Sequence, residues 1–143
     1  MLVFGSSIGE GNYTRPQGEV IYFEKILTST NIYATGYSDV ASTILNLEAD
    51  SDGVIPKGAK AVYLGTTVND SGSAATNTYL SFAAVDGEAQ YQNKIHGHPD
   101  DINQIESMHV QPCDANGDVY YRIEASGSST FDAYMNYMGV QLR

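Results

Sequence analysis

The segment His96-Gly97-His98-Pro99-Asp100-Asp101 comes nearest to metal chemistry in this chain. Two imidazoles two positions apart on a strand face the same way and could share a cation. One known metal-site pattern would place a carboxylate about four residues after the second histidine, where Ile102 and Asn103 stand, and Glu106 comes too late for it. Gly97 and Pro99 favour a loop over a rigid, ligand-bearing strand. His96, His98 and Asp100 are therefore read as loop residues, and no metal or cofactor is expected.

Two acidic segments resemble fragments of calcium loops, Asp50-Ser51-Asp52-Gly53 and Asp114-Ala115-Asn116-Gly117-Asp118. An EF-hand loop places its glycine sixth and a bidentate glutamate twelfth. Here each glycine comes fourth, so both segments read as turns in which Asp and Asn bond their own backbone. Catalytic patterns are also missing. There is no Gly-x-Ser-x-Gly elbow and no glycine-rich phosphate cradle. Cys113 lies beside Pro112 at the edge of a turn and reads as an inert small residue. The carboxylates are too numerous and too turn-bound to nominate a glycosidase pair. No enzyme is expected.

Tyrosines carry the remaining signal. Tyr120 and Arg122 fall on the polar face of one alternating segment, and Tyr134 opposes the core parity of another. An outward tyrosine offers area and a directional hydroxyl, which suits a sugar platform or a subunit interface. The same placement also suits ordinary cross-strand partners on a sheet surface.

The elements that must position these groups are strands. Val20-Ile21-Tyr22-Phe23 is β-branched and aromatic. Asp39 to Glu48 alternates with a break at Ile44. Lys60 to Val68 aligns Val62, Leu64, Thr66 and Val68, and Thr78 to Val85 follows a polar loop. Asp86 to Asp101 has no sustained period. Ile105 to Gln111 reads as a strand, and Asn116-Gly117 then predicts a type I′ hairpin. Val119, Tyr121, Ile123 and Ala125 alternate with Tyr120, Arg122 and Glu124. Phe131, Ala133, Met135 and Tyr137 share one parity, whereas Met138, Val140 and Leu142 share the other. That flip predicts a β-bulge near Gly139. About eight strands with polar turns predict an all-β antiparallel β-sandwich of jelly-roll type over residues 19–143. Met1 to Gly18, rich in glycine, reads as an extended arm with Leu2, Val3 and Phe4 as an apolar anchor for assembly.

Composition sets the outer limits. A domain of 143 residues buries roughly 68–70% of its unfolded surface, so packing alone can hold it. The single cysteine leaves no internal disulfide. Seventeen acidic against seven basic residues give a formal charge of −10, which repels phosphate backbones and anionic membranes. No nucleic acid or membrane partner is expected, and neither a secretory signal nor a bilayer-length apolar run is read.

Two segments echo each other. Ala61-Val62-Tyr63-Leu64 leads through Ser71-Gly72-Ser73 to Tyr79-Leu80-Ser81-Phe82, and Asp118-Val119-Tyr120-Tyr121 leads through Ser126-Gly127-Ser128 to Phe131-Asp132-Ala133-Tyr134. Each reads as strand, turn, strand. The stretch from Tyr120-Tyr121-Arg122-Ile123-Glu124-Ala125 through Ser126-Gly127-Ser128 to Gly139-Val140-Gln141-Leu142 resembles the terminal hairpin of small β-sandwich proteins of tailed bacteriophages. Those include capsid decoration (cement) proteins and head-fibre or tail-fibre modules. The resemblance covers the last third of the chain. It implies a homo-oligomer, a trimer, bound to the major capsid protein or another virion protein on the capsid exterior. The alternative function is a carbohydrate-binding or receptor-binding module at a fibre tip.

Overall fold

The computed structural model describes residues 19–72, 77–87, 93–97 and 105–142, with backbone alone for 105–107. The strands are β1 (Val20–Tyr37), β2 (Val40–Leu45), β3 (Ala61–Asp70), β4 (Tyr79–Ala83), β5 (Asn93–His96), β6 (Ile105–Pro112), β7 (Val119–Glu124) and β8 (Phe131–Gln141). A single helical turn, α1 (Leu47–Asp50), follows β2. Its amino end is capped by Asn46, whose side chain accepts from the Ala49 amide at 2.9 Å.

Two four-stranded antiparallel sheets form, in the orders β1-β8-β3-β6 and β2-β7-β4-β5. The first strand pairs with the last, the second with the seventh, the third with the sixth, and the fourth with the fifth. The chain is thus one long antiparallel hairpin rolled up on itself, which is the jelly roll expected from the strand count. Only the β4–β5 connection stays within a sheet.

This winding corrects three local expectations. The Asn116-Gly117 turn does not join a hairpin, because β6 and β7 belong to different sheets. Nor are the two Ser-Gly-Ser segments hairpin turns, since β3 and β4, and likewise β7 and β8, also lie in opposite sheets. The β3–β4 and β7–β8 connections instead lead from one sheet to the other. The turn type differs too. Gly117 alone takes positive φ, at 88°, and its amide bonds the Asp114 carbonyl at 3.1 Å. The Asp114 carboxylate accepts from the amides of Asn116 and Asp118 at 2.8 and 2.9 Å. A side-chain Asx bond therefore shapes this turn, where a type I′ pair would have needed positive φ at both central residues.

Alternation builds the core. Val62, Leu64, Thr66 and Val68 of β3 are buried together, facing Leu80 and Phe82 of β4 and Val119 and Ile123 of β7. On β8, Phe131, Ala133, Met135 and Tyr137 point inward, and then Val140 does. The register explains the switch. Leu64 pairs with Tyr137 but Tyr63 pairs with Gly139, so Met138 is the extra residue of a bulge. A Cβ at Gly139 would lie 2.6 Å from the Ile21 carbonyl oxygen, so β1 crosses the bulge where only glycine fits. The sequence missed β5, whose four residues include one large apolar side chain, Ile95, and lie in a stretch without a period.

Two buried carboxylates tie the ends of the roll. Asp50, at the end of α1, accepts six hydrogen bonds from β1 and β8. They come from Ser29 Oγ (2.7 Å), Thr30 N and Oγ1 (2.9 and 2.5 Å), Asn31 N and Nδ2 (3.0 and 2.6 Å), and the Tyr137 hydroxyl. Asp70, at the end of β3, accepts from the Gly72 amide at 2.8 Å, the Ser126 amide at 2.9 Å, the Ser126 hydroxyl, and Thr130 Oγ1 at 3.2 Å. It joins the two echoed crossovers side by side. Burial alone would raise both carboxyls, but these donors outweigh it and hold both below the ordinary carboxylate range.

Asp50→Ala leaves buried donors unpaired and should destabilise the fold by about 3 kcal/mol, measured by urea denaturation. A loss below about 1 kcal/mol would show that water replaces the carboxylate without penalty. The sign with pH follows from the depressed values. The unfolded chain binds these protons more readily, so the stability due to Asp50 and Asp70 is complete above about pH 5. It is lost as acidification passes the unfolded value of about 3.9 and continues toward the lower folded values. Asp50→Asn should flatten that acid limb of the stability curve.

Candidate functional site

Among the described residues, the outer face of the β2-β7-β4-β5 sheet brings together a cluster of cationic, acidic and aromatic side chains. Because Leu80 and Phe82 turn inward on β4, Tyr79 and Ser81 turn outward. The same rule sends Tyr120, Arg122 and Glu124 outward from β7, and Lys94 and His96 outward from β5. Register then sets two rows across the sheet, His96–Tyr79–Glu124 and Lys94–Ser81–Arg122.

Tyr79 organises the cluster. Lys94 Nζ sits 4.2 Å from its ring centroid, and the Arg122 guanidinium carbon is 5.9 Å from the same centroid. The His96 ring meets it edge-on at 6.4 Å. Its hydroxyl donates to Glu124 Oε1 at 3.1 Å, and Arg122 Nη2 donates to that same oxygen at 2.7 Å. Between the two cations, Ser81 is fully buried, and its hydroxyl has no hydrogen-bond partner.

The outer face of the β1-β8-β3-β6 sheet has the opposite character. Tyr22, Gly139, Tyr63 and Val110 lie in one row across all four strands. Met108 lies one outward position along β6 from Val110, and Val20 one outward position along β1 from Tyr22. Tyr22 is 73% exposed and Met108 68%, with Val20 and Val110 also exposed. The Tyr22 and Tyr63 rings pack at 5.6 Å, and Tyr33 and Tyr134 meet edge-on at 5.1 Å.

The three surface residues singled out from the sequence are thus divided. Tyr120 and Arg122 share one face, and Tyr134 lies on the opposite side of the sandwich. Tyr79, Ser81 and Lys94 were missed. Their convergence depends on strand pairing, and Lys94 lies in the stretch without a period. His96 packs against Tyr79, while His98 and Asp100 lie outside the described residues, as do Leu2, Val3 and Phe4. Among the described residues, no group of three His, Cys, Asp or Glu side chains is arranged to hold a metal ion. Among the same residues, no helix is long and apolar enough to cross a membrane.

The acidic turns serve as fasteners. Asp118 is buried beside α1 and accepts from the Leu47 amide at 3.2 Å. Burial raises its carboxyl, helped by the charges of Asp114 and Glu48, against the lowering effects of the Leu47 bond and Lys57. An open cleft of about 480 Å³ lies alongside, lined by Asn46, Lys57, Gly58, Ala115, Asn116 and Asp118. Cys113 packs against the core. Burial, with the charges of Asp114 and Asp118, pushes its thiol up to about 12.

No family model matches this chain, and no curated protein matches its sequence.

A thiol so raised is almost wholly protonated at pH 8. Native Cys113 should react with Ellman's reagent roughly a hundredfold more slowly than the urea-unfolded chain. Equal rates would mean that the thiol is open to solvent and readily ionised.

Proposed function

We propose that this chain is a structural subunit of a virus particle, a capsid decoration protein bound to the outside of the shell as a homo-oligomer. The observation that carries this reading is the row of exposed Tyr22, half-buried Tyr63 and exposed Val110, with exposed Met108 and Val20 beside it, on one sheet of a chain with a formal charge of −10. A clustered apolar face on an otherwise strongly acidic protein costs solubility unless something covers it. Assembly through that face hides it, and acidic surroundings then discourage stacking in wrong registers.

The jelly-roll winding supports the same reading, because it occurs in capsid domains as well as in lectins and cupins. The resemblance of the closing segment to tailed-phage sandwich proteins points the same way, toward a trimer held on the major capsid protein. Glu19, the first described residue, adjoins Val20 at the margin of the apolar face. Met1 to Gly18, with Leu2, Val3 and Phe4 as its anchor, lies outside the described residues and enters this reading as an arm that a neighbouring subunit or the shell would hold.

Light scattering should find an oligomer at micromolar concentration. Met108→Asp together with Tyr22→Ser should convert it to a monomer whose circular dichroism is unchanged. Deleting residues 1–18 should weaken attachment to capsids while leaving the sandwich folded. A monomeric parent protein that also ignores capsids would end this reading.

A further inference from the structure

We propose that the outer face of the β2-β7-β4-β5 sheet binds an acidic saccharide, a sugar polymer bearing carboxylates, through Lys94, Arg122 and Ser81. This goes beyond the assembly reading and does not depend on it.

Charge is the first argument. The chain holds only seven Lys and Arg residues against seventeen acidic ones. Two of those seven, with His96 beside them, converge on one tyrosine, and Glu124 is the carboxylate bonded into the cluster. The local sign is therefore reversed on a strongly anionic protein. Long-range repulsion keeps densely charged polyphosphates away, whereas a polymer with one charge per sugar is repelled less.

Preorganisation is the second. The Tyr79 ring holds the Lys94 ammonium by cation–π contact, and Glu124 fixes the fork of Arg122 from the other side. Cations already held in place lose little freedom when a carboxylate arrives, and a guanidinium fork matches its two oxygens. The Lys94–Arg122 span across Ser81 thus places two positive heads on either side of a hydroxyl.

That hydroxyl is the third. An unpaired, fully buried Ser81 Oγ carries a desolvation cost that a correctly placed hydrogen-bonding ligand removes. Its direct neighbours across the strands are the two cations, Lys94 and Arg122, so a carboxylate bridging them lies over it. The site is an open sheet face, which suits an extended chain better than a small enclosed ion. Tyr120 and Ile44 continue the same face along β7 and β2, giving apolar area for ring C–H groups beyond the charged row.

The test uses the full chain and four probes: oligogalacturonate, neutral dextran, dextran sulfate and polyglutamate. Binding is followed by titration calorimetry. Oligogalacturonate should bind and neutral dextran should not. Lys94→Gln and Arg122→Gln should each weaken oligogalacturonate binding about tenfold, and Ser81→Ala about threefold. Lys57→Gln makes the same charge change outside the cluster and should leave binding unaltered. Melting temperatures identify any variant that fails to fold, and Arg122→Lys then replaces Arg122→Gln, losing the fork but keeping the charge. The proposal is overturned if no acidic sugar binds, or if Lys57→Gln weakens binding as much as Lys94→Gln. It is also overturned if dextran sulfate or polyglutamate binds as tightly as oligogalacturonate, the latter marking the face as a site for acidic protein. The Met108→Asp, Tyr22→Ser monomer should bind the sugar as the parent does, which separates this result from the fate of the assembly reading.

Discussion

The carboxylate of Asp50 satisfies the part of the fold that has no ladder of its own. Strand β1 runs for eighteen residues against the eleven of β8, so its register must slip, and between Thr28 and Tyr33 it does. A slipped strand exposes amides that its neighbour cannot meet. Asp50 meets those of Thr30 and Asn31 directly, and through Ser29 Oγ it also fixes the amides of Asn31 and Ile32. Its bond to Tyr137 reaches through the core to the central strand of the same sheet. The Tyr137 hydroxyl is pushed up from its ordinary value, chiefly by burial and then by this carboxylate, so it stays a donor. One turn of helix is enough to carry Asp50 there because Asn46 caps its start and Asp118 takes the Leu47 amide.

Asp70 does the corresponding work at a crossover. Chains that pass from one sheet to the other leave the ladder and need partners at the corner. Here the β3–β4 and β7–β8 crossovers supply them to each other, with Ser126 and Thr130 donating to Asp70 and the Ser71 amide donating to the Thr130 carbonyl at 3.1 Å. Ser71-Gly72 and Ser126-Gly127, which look alike in sequence, are therefore neighbours in space. Their likeness reflects a shared corner, since small residues let two backbones approach one carboxylate.

Period-two alternation made the layers of the fold legible. It was enough to place Val62 to Val68 and Phe131 to Tyr137 on inner faces, and the parity change after Tyr137 revealed the bulge at Met138. It was blind to which sheet each strand joins. A turn such as Asn116-Gly117 has the same local chemistry whether its arms stay paired or diverge, and the divergence is decided by β3 and β4, far away in sequence. The fasteners were hidden for a related reason. Asp50 sits in a polar segment that reads as a turn, and nothing local says that six donors await it. The cluster on Tyr79 was equally invisible, because β4, β5 and β7 contribute its parts and β5 has almost no pattern.

The sandwich then imposes a relation between the two outer faces. The core between the sheets separates them, so the apolar row on β1-β8-β3-β6 and the cationic row on β2-β7-β4-β5 point in opposite directions. Burying the first in an assembly necessarily turns the second away from the contact and toward solvent. The reverse mounting would bury Lys94, Arg122 and Glu124, whose desolvation is costly, and leave Tyr22, Met108 and Val110 in water. Electrostatics and the hydrophobic effect therefore favour the same orientation. It requires no hinge or moving lid, because the opposition is built into strand alternation on two stacked sheets.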